Sequence, residues 1–154
     1  IKVLCHMEVK RLFIVETEFL FGLRADDKWH KQVSEIIELH KNKKIEPLFS
    51  CSSAFLEVGV VLQAHGLQAE QIEDILFLMK QKMVESNIVE VELNSDDIIR
   101  LYELLRRYDV EYFDAMQAAV ALGRKATLIT NDRTFERIGI ETISFRELIK
   151  KVKG

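Results

Sequence analysis

Acidic side chains follow two short apolar segments of the sequence, and they are the residues best suited to chemistry. Glu16 and Glu18 come directly after the apolar residues 12–15. Asp132 comes soon after the apolar residues 127–129. Short, uniformly apolar runs are typical of strands buried on both faces of a parallel sheet. Because sites in such sheets form beyond the carboxyl ends of the strands, we expect these acids to lie at one edge.

Two further acids lie on segments whose apolar residues recur with helical spacing. Glu57 is carried by the otherwise apolar residues 54–64, where an unpaired buried charge would be costly. Exposure on that helix is the alternative, since Glu is rarely fully buried. Asp114 lies at the start of a predicted helix over residues 113–122. There it could equally serve only to stabilise the helix dipole.

A group of carboxylates without other ligands favours a hard divalent cation. Carboxylates that gather without a cation repel one another and raise one another's pKa values. Mg²⁺ binds a few carboxylate oxygens while keeping several waters, so an all-carboxylate site indicates Mg²⁺ or Mn²⁺. The four histidines form neither an i,i+4 pair nor an HExxH pattern, so a zinc site is not expected.

Strands and helices alternate along the chain, which predicts a parallel sheet covered on both faces. The predicted strands are residues 12–15, 48–49, 88–93, 127–129 and 142–144. Four predicted helices span residues 29–41, 54–64, 69–86 and 113–122, and Ser52 or Ser53 is expected to cap the second of them. A further helix before residue 113 is expected to be capped by Asn94 or Ser95. A short helix and a basic last helix complete the set. Neither an internal repeat nor a linker interrupts this order, so we predict one domain.

The composition limits the classes of protein that the chain can be. Its 154 residues include 22 Lys and Arg against 25 Asp and Glu, so no overall basic field exists for wrapping long duplex nucleic acid. Two cysteines are too few for a secreted disulfide scaffold, and no apolar run reaches the roughly 18 residues of a membrane span. We therefore expect a cytoplasmic protein. Residues 1–6, before Met7, are expected to be a leader or cloning remnant, which leaves 7–154 as the domain.

Four blocks of sequence together resemble the PIN domain family over about residues 12–151. The blocks are Phe13-Ile14-Val15-Glu16-Thr17, Ser53-x-x-x-Glu57, Asp114-Ala115-x-x-Ala118-Ala119 and Leu128-x-Thr130-Asn131-Asp132-x-x-Phe135. The resemblance implies a three-layer α/β/α sandwich with a central parallel sheet. It also implies an Mg²⁺- or Mn²⁺-dependent endoribonuclease acting on single-stranded or looped RNA. Many small members are VapC-like toxins that an antitoxin restrains and that form homodimers through their early helices.

The same resemblance implies a set of site residues. The catalytic and metal-binding acids would be Glu16, Glu57, Asp114 and Asp132, and the supporting residues would be Thr130 and Asn131. Glu16 departs from the family, which usually has Asp at this position. Its extra methylene displaces the carboxylate, and Mg²⁺ demands near-ideal octahedral geometry.

Basic residues just beyond Asp132 are candidates for binding RNA. Arg133 and Arg137 could pair with phosphates, although charged side chains are common on any protein surface. Trp29 begins a predicted helix after a polar turn, which is compatible with a surface interface.

Other classes of protein with a similar order of elements remain as alternatives. A catalytically weakened PIN-like module that binds RNA or a protein is favoured by Glu16. A haloacid-dehalogenase-like phosphatase would need a nucleophilic Asp after the first strand, where Glu16 and Glu18 stand instead. A response-regulator receiver would need a lysine after a late strand, and Ser144-Phe145-Arg146 offers none.

Overall fold

A parallel sheet of five strands forms the centre of the protein. The structure is a computed structural model and describes residues 12–154. The strands are β1 (Phe13–Val15), β2 (Leu48–Cys51), β3 (Val89–Val91), β4 (Thr127–Ile129) and β5 (Thr142–Ile143). They lie in the order β3-β2-β1-β4-β5, and every pair is parallel. All five strands were predicted from the sequence, with bounds that differ by at most two residues at either end.

Helices connect the strands. They are α1 (Thr17–Phe21), α2 (His30–Lys41), α3 (Ser52–Ala64), α4 (Ala69–Glu85), α5 (Ser95–Arg107), α6 (Tyr112–Gly123), α7 (Thr134–Arg137) and α8 (Phe145–Lys153). The five-residue α1 is too short for a helical repeat to be visible, and the sequence did not predict it. The predicted serine cap of α3 is wrong, because the helix already begins at Ser52 and Cys51 is its cap residue. The Ser52 hydroxyl instead accepts a hydrogen bond from the backbone N–H of Leu93, at 3.2 Å.

The sheet separates two hydrophobic cores, which confirms the predicted α/β/α sandwich. Successive residues of β1 point to opposite faces, so Val15 packs with α1–α4 and α8. Ile14 packs on the other face with α5, α6 and α7. Both residues are completely buried. Burial on both faces explains why the strand sequences are continuously apolar rather than alternating.

A buried ion pair joins α5 to the residue that follows α6. Asp97 is 2% exposed, and its Oδ1 accepts a hydrogen bond from Arg124 Nη1 at 2.9 Å. Arg124 Nη2 also donates to the backbone carbonyl of Glu92, at 2.7 Å, just beyond β3. The side chain of Arg124 thus links the start of α5, the end of α6 and the segment after β3.

Two predictions concern residues that the structure leaves undescribed. The leader or cloning remnant assigned to residues 1–6 lies outside the described residues, and the domain boundary at residue 7 stays a prediction.

Within residues 12–154, no helix combines the length and apolar character that crossing a membrane requires.

Candidate active site

The sheet topology brings two of the predicted acids to one edge. From the central β1 the chain moves outward to β2 and β3, then returns to add β4 and β5 on the other side. The order therefore reverses between β1 and β4, which is where open α/β sheets bind their ligands. Glu16 directly follows β1, and Asp132 lies three residues beyond the end of β4.

All four predicted metal-binding acids line one open cavity of about 380 Å³ at this edge. The acids that line it are Glu16, Glu18, Asp27, Glu57, Asp114 and Asp132. α1 and the loop after it supply one wall, and α3 and α6 supply Glu57 and Asp114. A larger cavity of about 810 Å³ lies between α3 and α4. That cavity is mainly apolar, so it offers a surface for contact rather than groups for catalysis.

Glu16 is the most deeply buried of these acids. It is 7% exposed, and the hydroxyl of Thr130 donates a hydrogen bond to its Oε1 at 3.4 Å. Burial, followed by the negative charges of Glu18 and Glu57, raises the pKa of Glu16 from 4.5 to about 8. Its environment therefore favours the protonated form at neutral pH unless a cation compensates the charge.

Glu57 is held by donors from two other helices. The Thr17 hydroxyl on α1 donates a hydrogen bond to Glu57 Oε2. Gln117 Nε2 on α6 donates to the same oxygen at 3.3 Å. The Ser53 hydroxyl in turn donates to Gln117 Oε1 at 3.4 Å, which fixes the orientation of the amide. Gln117 was missed by the sequence analysis, although a buried glutamine among alanines was a signal that could have identified it.

Asp114 and Asp132 complete the acidic wall. Burial, then the charges of Asp132 and Glu57, raises the pKa of Asp114 from 3.8 to about 6. The backbone N–H of Asp132 donates to the Thr130 hydroxyl at 3.1 Å. Asp132 Oδ1 accepts from the backbone N–H of Thr134 at 2.9 Å, so one of its oxygens also stabilises the start of α7.

Asn131 connects the loop after β4 to two other segments. Its Oδ1 accepts a hydrogen bond from the backbone N–H of Phe145 at 3.0 Å, at the start of α8. Its Nδ2 donates to Glu18 Oε1 at 3.5 Å. These contacts orient the loop that carries Asp132.

The predicted RNA-binding arginines lie outside this cavity. Arg133 and Arg137 are exposed at α7, and neither is among the residues that line it. Within the described part of the chain, the basic residue that does line the cavity is Lys28, in the loop before α2. The sequence analysis missed Lys28 because nothing in its local sequence separates it from other exposed lysines.

The side chains of the cavity fit a hard divalent cation by their chemistry. They offer carboxylate oxygens. Burial and then the neighbouring acids raise the pKa values of Glu16 and Asp114, and a bound cation would offset both effects. Across residues 12–154, however, no three acidic, His or Cys side chains are arranged so that they could hold an ion as they stand. Binding would therefore require the carboxylates to move closer together.

Comparisons with known proteins agree with this architecture. Residues 13–141 match the PIN domain family. VapC20 of Mycobacterium tuberculosis, described as a sarcin-ricin loop cleaving toxin, is 16% identical with a TM-score of 0.61, over 83% of this chain and 95% of that one. DNA-bound VapBC of Salmonella typhimurium is 17% identical with a TM-score of 0.64, over 88% of this chain and 98% of that one.

A third solved structure extends the same pattern. VapBC2 of Rickettsia felis, bound to a DNA fragment from its promoter, is 18% identical with a TM-score of 0.63, over 86% of this chain and 98% of that one. A search of curated protein sequences returned no match. At such low identities the structural matches show the fold alone. The family match covers most of the sequence, and this chain therefore belongs to the PIN domain family.

Proposed function

We propose that the protein is a metal-dependent endoribonuclease that hydrolyses phosphodiester bonds of single-stranded or looped RNA. The observation that carries this proposal is the convergence of Glu16, Glu57, Asp114 and Asp132 on one cavity at the edge of the sheet. Membership of the PIN domain family and the likeness to VapC structures support a nuclease-type enzyme. A recessed acidic cavity favours RNA without a regular duplex, because a flexible strand can bring its backbone to it.

The proposed metal ligands are carboxylate oxygens of Glu57, Asp114 and Asp132, with Glu16 ligating directly or through water. When bound, Mg²⁺ or Mn²⁺ lowers the pKa of a coordinated water and neutralises charge on the phosphate oxygens. Thr17 and Gln117 hold Glu57 in place, and Thr130 holds Glu16. In the proposed hydrolysis, water attacks phosphorus and the bond to the 3′ oxygen breaks. The 3′ oxygen then takes up a proton, and the other product keeps a 5′ phosphate.

The decisive experiment is cleavage of end-labelled single-stranded RNA with Mn²⁺ or Mg²⁺. The parent protein is expected to cleave, and Asp114→Asn is expected to lose most of that activity. Asp96→Asn, at an exposed position on α5, is the matched control and should cleave like the parent. Equal cleavage by the parent and Asp114→Asn would remove Asp114 from the mechanism.

A non-catalytic binding module is the second candidate function. The observation that favours it is Glu16, which stands where the family usually has Asp and whose pKa is raised to about 8. Glu16→Asp distinguishes the two candidates. A gain in cleavage would show that the longer side chain weakens an active site, whereas RNA binding without cleavage in both proteins would favour the binding module.

We also propose that the protein is the toxin of a toxin–antitoxin pair, works in the cytoplasm and forms a homodimer. The VapBC neighbours support an antitoxin partner. The apolar cavity between α3 and α4, where Leu56 and Val60 are 55% and 42% exposed, supports a protein interface. Light scattering of the parent and of Leu56→Glu would test the dimer, since a charge in this surface should shift the mass towards that of a monomer.

A further inference from the structure

Among residues 12–154, a single basic residue lines the acidic cavity. Lys28 stands there against six carboxylates. A nucleic-acid strand carries one negative charge per nucleotide, so these carboxylates repel it even when a divalent ion offsets part of their charge. A fixed cation at the cavity would lower that repulsion where a strand enters.

Lys28 is held in place by an aromatic ring rather than by an acid. Its Nζ lies 5.3 Å from the centre of the Trp29 ring, within the range of a cation–π interaction. Within residues 12–154, the structure shows no ion pair for Lys28. A lysine that only neutralised the site would pair with one of the six carboxylates. The charge of Lys28 is instead available to a ligand.

The ring of Trp29 is itself anchored to the core. It packs edge-on against Phe145, with ring centres 5.7 Å apart, and Phe145 is completely buried. The backbone N–H of Trp29 donates to Asp27 Oδ1 at 2.8 Å, which fixes the turn before α2. This hydrogen bond also engages the carboxylate that lies nearest to Lys28 in sequence. Lys28 is thus exposed, while the ring that it contacts packs against the core.

We infer that Lys28, positioned by Trp29, binds a backbone phosphate of the single-stranded nucleic acid that enters the acidic cavity. The inference rests on the proposed function and adds the phosphate-binding residue to it. Lys28 would contact the substrate, whereas Trp29 would act through Lys28 and is a positioning residue.

Binding is best measured in the Asp114→Asn background with Mg²⁺, so that cleavage does not intervene. Fluorescence anisotropy of a labelled single-stranded RNA should show about 3- to 10-fold weaker binding for Lys28→Ala. The slope of log affinity against log salt should fall by about 0.7, the value for one lost phosphate contact on a single strand. Lys31→Ala, an exposed lysine of α2 outside the cavity, is the matched control and should leave both quantities unchanged.

Conservative variants separate charge from structure. Lys28→Arg should restore the salt slope, because it keeps the cation. Trp29→Phe keeps an aromatic ring and should bind like the parent, whereas Trp29→Leu should weaken binding about as much as Lys28→Ala. The double variant Lys28→Ala/Trp29→Leu should be no weaker than either single variant if the ring acts through the lysine. Thermal melting of each variant verifies that it folds.

The kinetic experiment uses the protein with Asp114 intact, so that RNA cleavage can be measured. Lys28→Ala should raise KM by a similar factor and leave kcat within about twofold, since a contact made equally in ground and transition states changes only binding. An unchanged salt slope and KM in Lys28→Ala would overturn this inference while metal-dependent cleavage still stood. A different outcome is that the parent protein cleaves no RNA but Lys28→Ala still lowers the slope of log affinity against log salt. That outcome would refute the proposed function, and Lys28 would remain a phosphate-binding residue.

Discussion

The hydroxyl of Thr17 donates a hydrogen bond to the carboxylate of Glu57, so the first turn of α1 holds an acid carried by α3. Thr17→Val removes the donor and keeps the shape of the side chain. We expect the free energy of unfolding to fall by about 1–3 kcal/mol, as for other hydrogen bonds to charged groups. Urea denaturation measures it. Thr142→Val, in β5 and outside the cavity, is the control, and an equal loss in both variants would contradict a specific role for Thr17.

The pH dependence of stability should reveal the buried acid Glu16. Its pKa is about 8 in the folded protein against 4.5 for the ordinary side chain. Between these values the folded chain keeps a proton that the unfolded chain has released. The metal-free protein should therefore lose stability as pH rises through this window, by up to about 1.4 kcal/mol per pH unit for one proton. Asp114 should add to this loss of stability as pH rises to about 6, because burial and then the charges of Asp132 and Glu57 raise its pKa to that value.

Glu16→Gln should flatten that profile and stabilise the metal-free protein at the alkaline end. Urea denaturation in the presence of a chelator, at several pH values between about 5 and 8, compares the two proteins. Glu85→Gln, at the exposed end of α4, controls for loss of a negative charge. If the parent and Glu16→Gln show parallel profiles, Glu16 does not titrate in this window.

A divalent cation should stabilise the folded protein without any substrate. Millimolar Mn²⁺ is expected to raise the free energy of unfolding by about 1–3 kcal/mol, which is the gain for a ligand present at up to about 100 times its Kd. Because ligation displaces the proton of Glu16, the gain should be larger at pH 8 than at pH 6. Thermal melting with Mn²⁺, then with excess chelator, measures it. Glu57→Gln should lose most of the gain, and a full gain in that variant would place the ion elsewhere.

The buried pair of Asp97 and Arg124 should control stability independently of the active site. Asp97→Ala leaves the largely buried guanidinium without its partner, and such losses cost about 3–5 kcal/mol. Asp96→Ala, one residue away and exposed, should cost far less. Urea denaturation of the two variants gives the comparison. RNA cleavage per folded molecule should be unchanged in both, and a specific loss of cleavage in Asp97→Ala would link this pair to the site.

Much of the fold could be predicted from the sequence because burial leaves a visible pattern. Strands covered on both faces are continuously apolar, and β1 and β4 were predicted for that reason. Longer helices show their spacing, whereas α1 is too short to show any. The predicted serine cap failed because the Ser52 hydroxyl contacts Leu93, a residue brought near only by the pairing of β2 with β3.

The residue types at the ends of the strands, and their order, were readable from the sequence alone. The sequence thereby determined the family and singled out Glu16, Glu57, Asp114 and Asp132. Only the tertiary structure decided that Gln117 holds Glu57 and that the Trp29 ring beside Lys28 packs on Phe145. It also decided that neither Arg133 nor Arg137 lines the cavity. The physical reason is that each of these relationships depends on how segments distant in sequence pack against one another. Gln117 and Glu57 are 60 residues apart, and a contact or a desolvated charge exists only once folding excludes water between such segments.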